Sequence, residues 1–287
     1  MTAETARIDA TGVPAAGASC VRMPWWSLTK TLIAAAALRL AETGRLDLDR
    51  RLRGHAFTLR QLLRHRAGLA DYGSLPEYHA AVARGDAPWT EAELFERIGP
   101  PRFAPGRGWS YSNPGYLLAR RAVEAAHGGG FGAALTDLVL APLGLSARLA
   151  EARGDVPGLP DYDPGWVFHG VVVGPVVEAA LVLHGVLAGG LLKPESLAAL
   201  RAWQAVGGAL PGRPWITCGY GLGLMQGTMR TARMRAPLYL EGHGAAGPGS
   251  VGAIYRDLAT GRTVAAFRTD ADEGAAEAEV LRLLSRP

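Results

Sequence analysis

The chain has 287 residues, 48% hydrophobic and 20% charged, which suits a globular protein with a substantial core and excludes disordered or fibrous classes. Its 30 basic and 26 acidic residues leave a formal charge of +4. The excess is spread along the chain, with the densest cluster only Arg50, Arg51 and Arg53, so no nucleic-acid partner is expected.

Met1 to Pro24 lacks a basic-then-apolar leader, and the longest apolar stretch, Val167 to Leu192, is interrupted by His169, Glu178 and His184. The expectation is a soluble cytoplasmic protein with no membrane partner. Two cysteines, Cys20 and Cys218, are too few for a disulfide framework and are expected as buried free thiols. Ser27 to Thr43 reads as a helix that is apolar around most of its circumference, hence central, with Ser27 in its first turn and Gly44 as its stop. Shorter amphipathic helices are predicted over Thr58–Arg66 and Thr90–Ile98. A turn-rich stretch from Pro100 to Gly108 leads into Tyr111-Ser-Asn113, and a helix follows over Tyr116–His127. Helical patterns return over Glu178–Leu192 and Pro194–Ala205. After Pro211 the strand-like segments are Gly219–Met225, Pro237–Leu240, Ser250–Asp257 and Arg262–Thr269, the last two flanking a hairpin connection at Ala259 to Gly261. A helix over Glu273–Ser285 closes the chain. These elements read as one unit over 1–287, mainly helical over 25–210, with an antiparallel sheet and terminal helix over 211–287.

Composition singles out three positions. The 30 basic residues are 28 Arg and two Lys, Lys30 and Lys193, and Asn113 is the sole Asn. Arg supplies charge but cannot release its proton at physiological pH, so a Lys retained amid such bias points to a need for a neutral amine. Ser27 and Lys30, at i and i+3, emerge on one helix face. A Ser hydroxyl needs a base to become a nucleophile, and a desolvated Lys can be that base. Read alone, the pair is equally a helix-cap Ser beside a surface Lys. Tyr111 and Asn113 share a face in an extended loop, where a phenol can shuttle a proton and an amide can bind a carbonyl; alone, they are also ordinary turn chemistry. Glu241 to Gly249 reads as a glycine-rich connection that brings backbone N–H groups, and a polar or cationic His243, to a ligand.

The three patterns together, in this order and at wide spacing, resemble the β-lactamase-like serine hydrolases: class C β-lactamases, DD-peptidases and family VIII carboxylesterases. Gly44 to Asp49, Thr58 to Leu69 and Phe103 to Gly106 add to the resemblance, which spans roughly residues 20 to 285. It implies an α/β fold of the α+β type, an antiparallel sheet flanked by helices with an all-helical subdomain. It implies Ser27 as the acylated nucleophile, Lys30 as base or relay, Tyr111 as donor to the leaving group and Asn113 as substrate orienter. The backbone N–H groups of Ser27 and Ala246 would form the oxyanion hole, with Gly244 and Ala245 beside the substrate. His243 falls where lactamases commonly carry Lys and esterases often carry His.

Three departures limit the carry-over. Only 26 residues precede Ser27 where two strands are usual, which implies a sheet trimmed at one edge. Ala245 replaces a usual Gly, and no export signal is visible. The last two argue against a lactamase or DD-peptidase role and favour an esterase-like enzyme on a small ester or amide. Acyl transfer on the same fold is the alternative, and an idle binding module is disfavoured by the intact Ser27, Lys30 and Tyr111. His169 reads either as a substrate contact or as a buried ring with satisfied nitrogens, Trp26 as core or cleft wall, and His65 as structural. No Gly-x-Ser-x-Gly, His-Glu-x-x-His or Cys-x-x-Cys occurs, so neither metal nor cofactor is expected.

Overall fold

The computed structural model describes residues 3–269 and 272–286. Its strands are β1 (Glu4–Ile8), β2 (Arg22–Pro24), β3 (Arg148–Leu149), β4 (Val172–Pro175), β5 (Gln204–Gly207), β6 (Trp215–Tyr220), β7 (Met225–Met229), β8 (Leu238–Gly247), β9 (Ser250–Asp257) and β10 (Thr263–Arg268). Seven form an antiparallel sheet in the order β1-β10-β9-β8-β7-β6-β5, and three form a small sheet in the order β2-β4-β3. Of the two strands before Ser27, only β1 joins the large sheet, where it forms an edge. The helices are α1 (Thr29–Glu42), α2 (Leu59–Leu63), α3 (Pro76–Arg84), α4 (Glu91–Ile98), α5 (Asn113–His127), α6 (Phe131–Leu135), α7 (Val176–Leu187), α8 (Pro194–Arg201) and α9 (Glu273–Leu284).

Strand alternation explains why the C-terminal strands are apolar on both faces. Val264 and Ala266 of β10 pack with Ala276, Val280 and Leu281 of α9, whereas Ala265 and Phe267 enter the main core with Val176, Leu183 and the α1 residues. Successive side chains point to opposite faces, so at β10 the sheet is covered on both sides, by α9 on one and by the main core on the other. Helix α1 is buried over nearly its whole length, and the small run Ala34–Ala37 sits at the centre of that core. A satellite cluster of Tyr72, Leu94, Ile98, Leu117, Trp166 and Phe168 roofs one end.

Local signals account for most boundaries. Thr58 with Gln61 and Thr90 with Glu93 form capping boxes that start α2 and α4. Several expectations need correction. Gly219–Met225 is not one continuous strand: Gly219 and Tyr220 end β6, Met225 begins β7, and residues 221–224 between them are a reversal closed by Gly221 N–H donating to Leu224 O at 2.8 Å. Gly223 adopts φ +62° there, and a Cβ on it would lie 2.6 Å from Lys30 O, so the turn seats directly on α1. The helix expected over Pro194–Ala205 stops at Arg201, and Gln204 begins edge strand β5. Of Glu241 to Gly249, expected as a connection, Glu241 to Gly247 is the second half of β8, buried as far as Ala245, and only Pro248 and Gly249 make the turn to β9. Cys20 is exposed rather than buried, and Cys218 is buried.

Candidate active site

Ser27 lies in a 3-10 turn, Trp26–Leu28, immediately before α1. Trp26 takes φ +35°, a left-handed backbone that a bulky residue adopts only under constraint. The constraint is visible: Trp26 Nε1–H donates to Ser250 Oγ at 2.9 Å, and Gly247 of β8 lies so close that a Cβ would meet the indole at 2.5 Å. Thr29 Oγ1 accepts from Val172 N–H at 3.1 Å, tying the start of α1 to β4. The nucleophile is therefore held from both the large and the small sheet.

Ser27 Oγ lies 3.0 Å from Lys30 Nζ and 2.9 Å from Tyr111 Oη. Lys30 is fully buried, and burial lowers its pKa from 10.5 to about 7, with the charge of Asp71 opposing that shift. Burial pushes Tyr111 well above the usual phenol range, so it remains a proton-bearing donor. The Tyr111-Ser112-Asn113 segment is organised by its middle residue. Ser112 Oγ donates to Ala70 O and accepts from Gly115 N–H, both at 3.1 Å, which caps α5 and leaves Tyr111 and Asn113 at the cleft.

Asp71 is a member of the site that the sequence reading missed. Its Oδ1 accepts from Asn113 N–H at 2.7 Å and its Oδ2 from Asn113 Nδ2 at 3.3 Å, which fixes the side-chain amide. Burial raises the Asp71 pKa, against the hydrogen bond from Asn113 N–H and the charge of Lys30. The one sequence signal it carries is its place two residues beyond Leu69, just outside the Thr58 to Leu69 block.

His243 projects from β8 into the cleft. Its Nδ1 lies 2.7 Å from Gly244 O, which can only accept, so Nδ1 carries the proton and Nε2 accepts from Tyr220 Oη at 2.9 Å. Burial, reinforced by the charge of Lys30, lowers its pKa to about 3. The third motif thus presents a neutral ring and not a cation. Tyr220 had no distinguishing sequence signal. His169 is buried with Nε2 3.1 Å from Lys30 Nζ, while its Nδ1 has no partner. It lines the cleft, yet it also reaches the base, which corrects the expectation of a ring with both nitrogens satisfied. His65 accepts from Ser112 N–H through Nδ1 at 3.0 Å and packs at tilted angles among the rings of Tyr111, Tyr116 and Tyr220. Ala245, expected beside the substrate, is fully buried in the main core. Gly244 and Ala246 on either side of it do line the cleft.

The cleft has two arms that meet at Ser27, Gly73, Asn113 and Ala246. The smaller, about 380 Å³, is walled by Trp26, Tyr72, Tyr78 and Tyr162 together with His169. The larger, about 570 Å³, contains Tyr111, Tyr220, His243, Arg213 and Glu273. Strand β7 starts at Met225, opposite Gly242, so the following residues of β8 border this opening and not a partner strand on that side.

A Ser in the turn that leads into a central helix, a Lys in that helix's first turn, a Tyr-x-Asn segment and an inner sheet strand bearing a His make up the architecture of the β-lactamase-like serine hydrolases. The β-lactamase family model matches residues 21–285, and the chain belongs to that family. The chain is 28% identical over 155 residues to penicillin-binding protein 4* of Bacillus subtilis (strain 168), a stretch covering 50% of this chain and 34% of that protein. The match thus spans about a third of that relative's length. Among solved structures, it is similar to a D-stereospecific amidohydrolase from Streptomyces sp., with 24% identity, a TM-score of 0.78, and coverage of 97% of this chain and 92% of that one. It is also similar to D-amino acid amidase from Ochrobactrum anthropi SV3, with 22% identity, a TM-score of 0.75, and coverage of 98% and 94%. Among the described residues, no helix is long and apolar enough to cross a membrane.

Proposed function

We propose that this chain hydrolyses a small ester or amide through an acyl-enzyme on Ser27. The observation that carries the reading is a hydroxyl held between a buried amine brought to about pKa 7 and a phenol kept protonated. Neutral Lys30 takes the Ser27 proton as Oγ attacks the substrate carbonyl. The backbone N–H groups of Ser27 and Ala246, both at the junction of the two arms, receive the developing oxyanion. Such donors are worth about 3–4 kcal/mol in the transition state. Tyr111 donates its phenol proton to the departing oxygen or nitrogen and is recharged from the Lys30 ammonium. Asn113, fixed by Asp71, orients the carbonyl side chain of the substrate. Water then enters the same geometry, and Lys30 and Tyr111 release the acid.

The esterase-like character rests on His243, which is neutral where a cation would be needed to hold a substrate carboxylate. The names of the structural neighbours, an amidohydrolase and an amidase, make amides equally suitable substrates. Ser27→Ala should abolish turnover of p-nitrophenyl esters and labelling by a fluorophosphonate, with the circular dichroism spectrum unchanged. A variant that keeps the wild-type rate would remove Ser27 from its role.

A further inference from the structure

The two arms differ in charge, and, taking the proposed acyl-enzyme reading as its basis, that difference sorts the two halves of the substrate. Tyr111 lines only the larger arm, and its hydroxyl is 2.9 Å from Ser27 Oγ. The group that receives the phenol proton therefore departs into the larger arm, and the acyl chain lies in the smaller one. Among the described residues, the smaller arm has no Asp, Glu, Lys or Arg in its wall, which carries Trp26, Tyr72, Tyr78 and Tyr162 with the imidazoles of His79 and His169.

The larger arm carries a surplus of negative charge. Arg213 is its guanidinium, and each nitrogen is already engaged: Nε with Glu277 Oε2 at 2.9 Å, Nη2 with Glu277 Oε1, and Nη1 with Glu273 Oε1 at 3.2 Å. Two carboxylates thus face one cation, and the more exposed of them, Glu273, borders the cavity beside Gly244. Asp71 adds a second acid to the same arm. His243 contributes no charge, because both ring nitrogens are committed as a neutral tautomer. Lys30 must itself be neutral when it accepts the Ser27 proton, so nothing here offsets the surplus at acylation.

We infer that the substrate joins an uncharged aromatic acyl group to an alcohol or amine that bears no acid, with a cationic leaving group preferred over a neutral one. A leaving amine with its own carboxylate, as in a peptide or a penicillin, would meet Glu273 and Asp71 with no unpaired Lys or Arg among the described residues lining this arm to receive it.

The test uses three phenylacetyl esters of phenols bearing a meta trimethylammonium, carboxamide or carboxylate group, with each rate divided by that ester's hydroxide-catalysed rate. Ser27→Ala serves as the blank. The expected order of kcat/KM is cation, then neutral, then anion, with the extremes separated by on the order of tenfold or more. Added salt and Glu273→Gln should both narrow that spread. Replacing phenylacetyl by succinyl on the carboxamide phenol should cost at least about tenfold. Ser27-dependent turnover with a flat or reversed charge order overturns the leaving-group assignment, and equal phenylacetyl and succinyl rates overturn the acyl assignment. Turnover of none of these esters overturns the proposed function, and this inference with it.

Discussion

Replacing Lys30 with Met should stabilise the protein while abolishing turnover. Burial lowers Lys30 from 10.5 to about 7, so near neutral pH the folded state gives up most of the free energy of holding that proton. At roughly 1–1.5 kcal/mol per pH unit, the penalty is on the order of 4 kcal/mol. Met fills a similar volume without a charge. The substitution leaves His169 Nε2 without its partner, at a cost of about 1–3 kcal/mol, while Ser27 Oγ keeps Tyr111. The net gain near pH 7 is about 1–3 kcal/mol, and each kcal/mol raises Tm by about 2–4 °C for a chain of this size. The pH dependence has a definite sign. Between about 7 and 10.5 the unfolded chain holds a Lys30 proton that the folded chain lacks, so wild-type stability climbs with pH and the Met variant's advantage shrinks. Below about pH 7 the difference is constant. Thermal melts of both proteins from about pH 6 to about pH 9, followed by circular dichroism, measure the gap. A Met variant that is less stable throughout, with a gap independent of pH, would refute the claim that Lys30 is held against its charged form.

Lys30→Arg keeps the positive charge but loses the ability to accept a proton, so the single-turnover acylation burst should fall by about 10²–10⁴, as for Lys30→Ala. A normal burst in the Arg variant would show that Lys30 acts through charge alone. Wild-type kcat/KM should rise with pH through about 7 as Lys30 becomes neutral. His169→Phe removes an acceptor that favours the ammonium, which should move that rise lower by about one to two pH units. His169→Gln should restore part of the shift, and an unmoved profile would limit His169 to packing. Nitrocefin hydrolysis should stay below the usual enzyme range, under about 10⁴ M⁻¹s⁻¹ in kcat/KM, because the third motif lacks a cation. Efficient turnover would contradict the neutral assignment of His243.

The sequence by itself was enough to place Ser27, Lys30, Tyr111 and Asn113 at one site and to outline a helical region followed by strands. The grouping of the site residues rests on the resemblance of three ordered motifs to a known family, since each motif read alone also fits cap or turn chemistry. The outline rests on local regularities, namely helix periodicity, turn residues and hydrophobic runs of strand length. It misread Glu241–Gly247 as a connection because glycine usually marks a turn. Here Gly242 sits where a Cβ would collide with the backbone of β9, and Gly247 where it would strike Trp26, so the glycines permit close packing of a buried strand. Gly219–Met225 failed for the opposite reason, since an alternating pattern concealed a reversal that seats on α1. Tertiary structure alone decided protonation and charge. The burial that brings Lys30 to about 7, the hydrogen bond of Tyr220 to His243, the anchoring of Asn113 by Asp71 and the pairing of Arg213 with Glu277 depend on residues brought together across the fold, the last three joining positions 23, 42 and 64 apart. Desolvation and hydrogen-bond partners at such separations are properties of the folded packing, and no spacing along the chain encodes them.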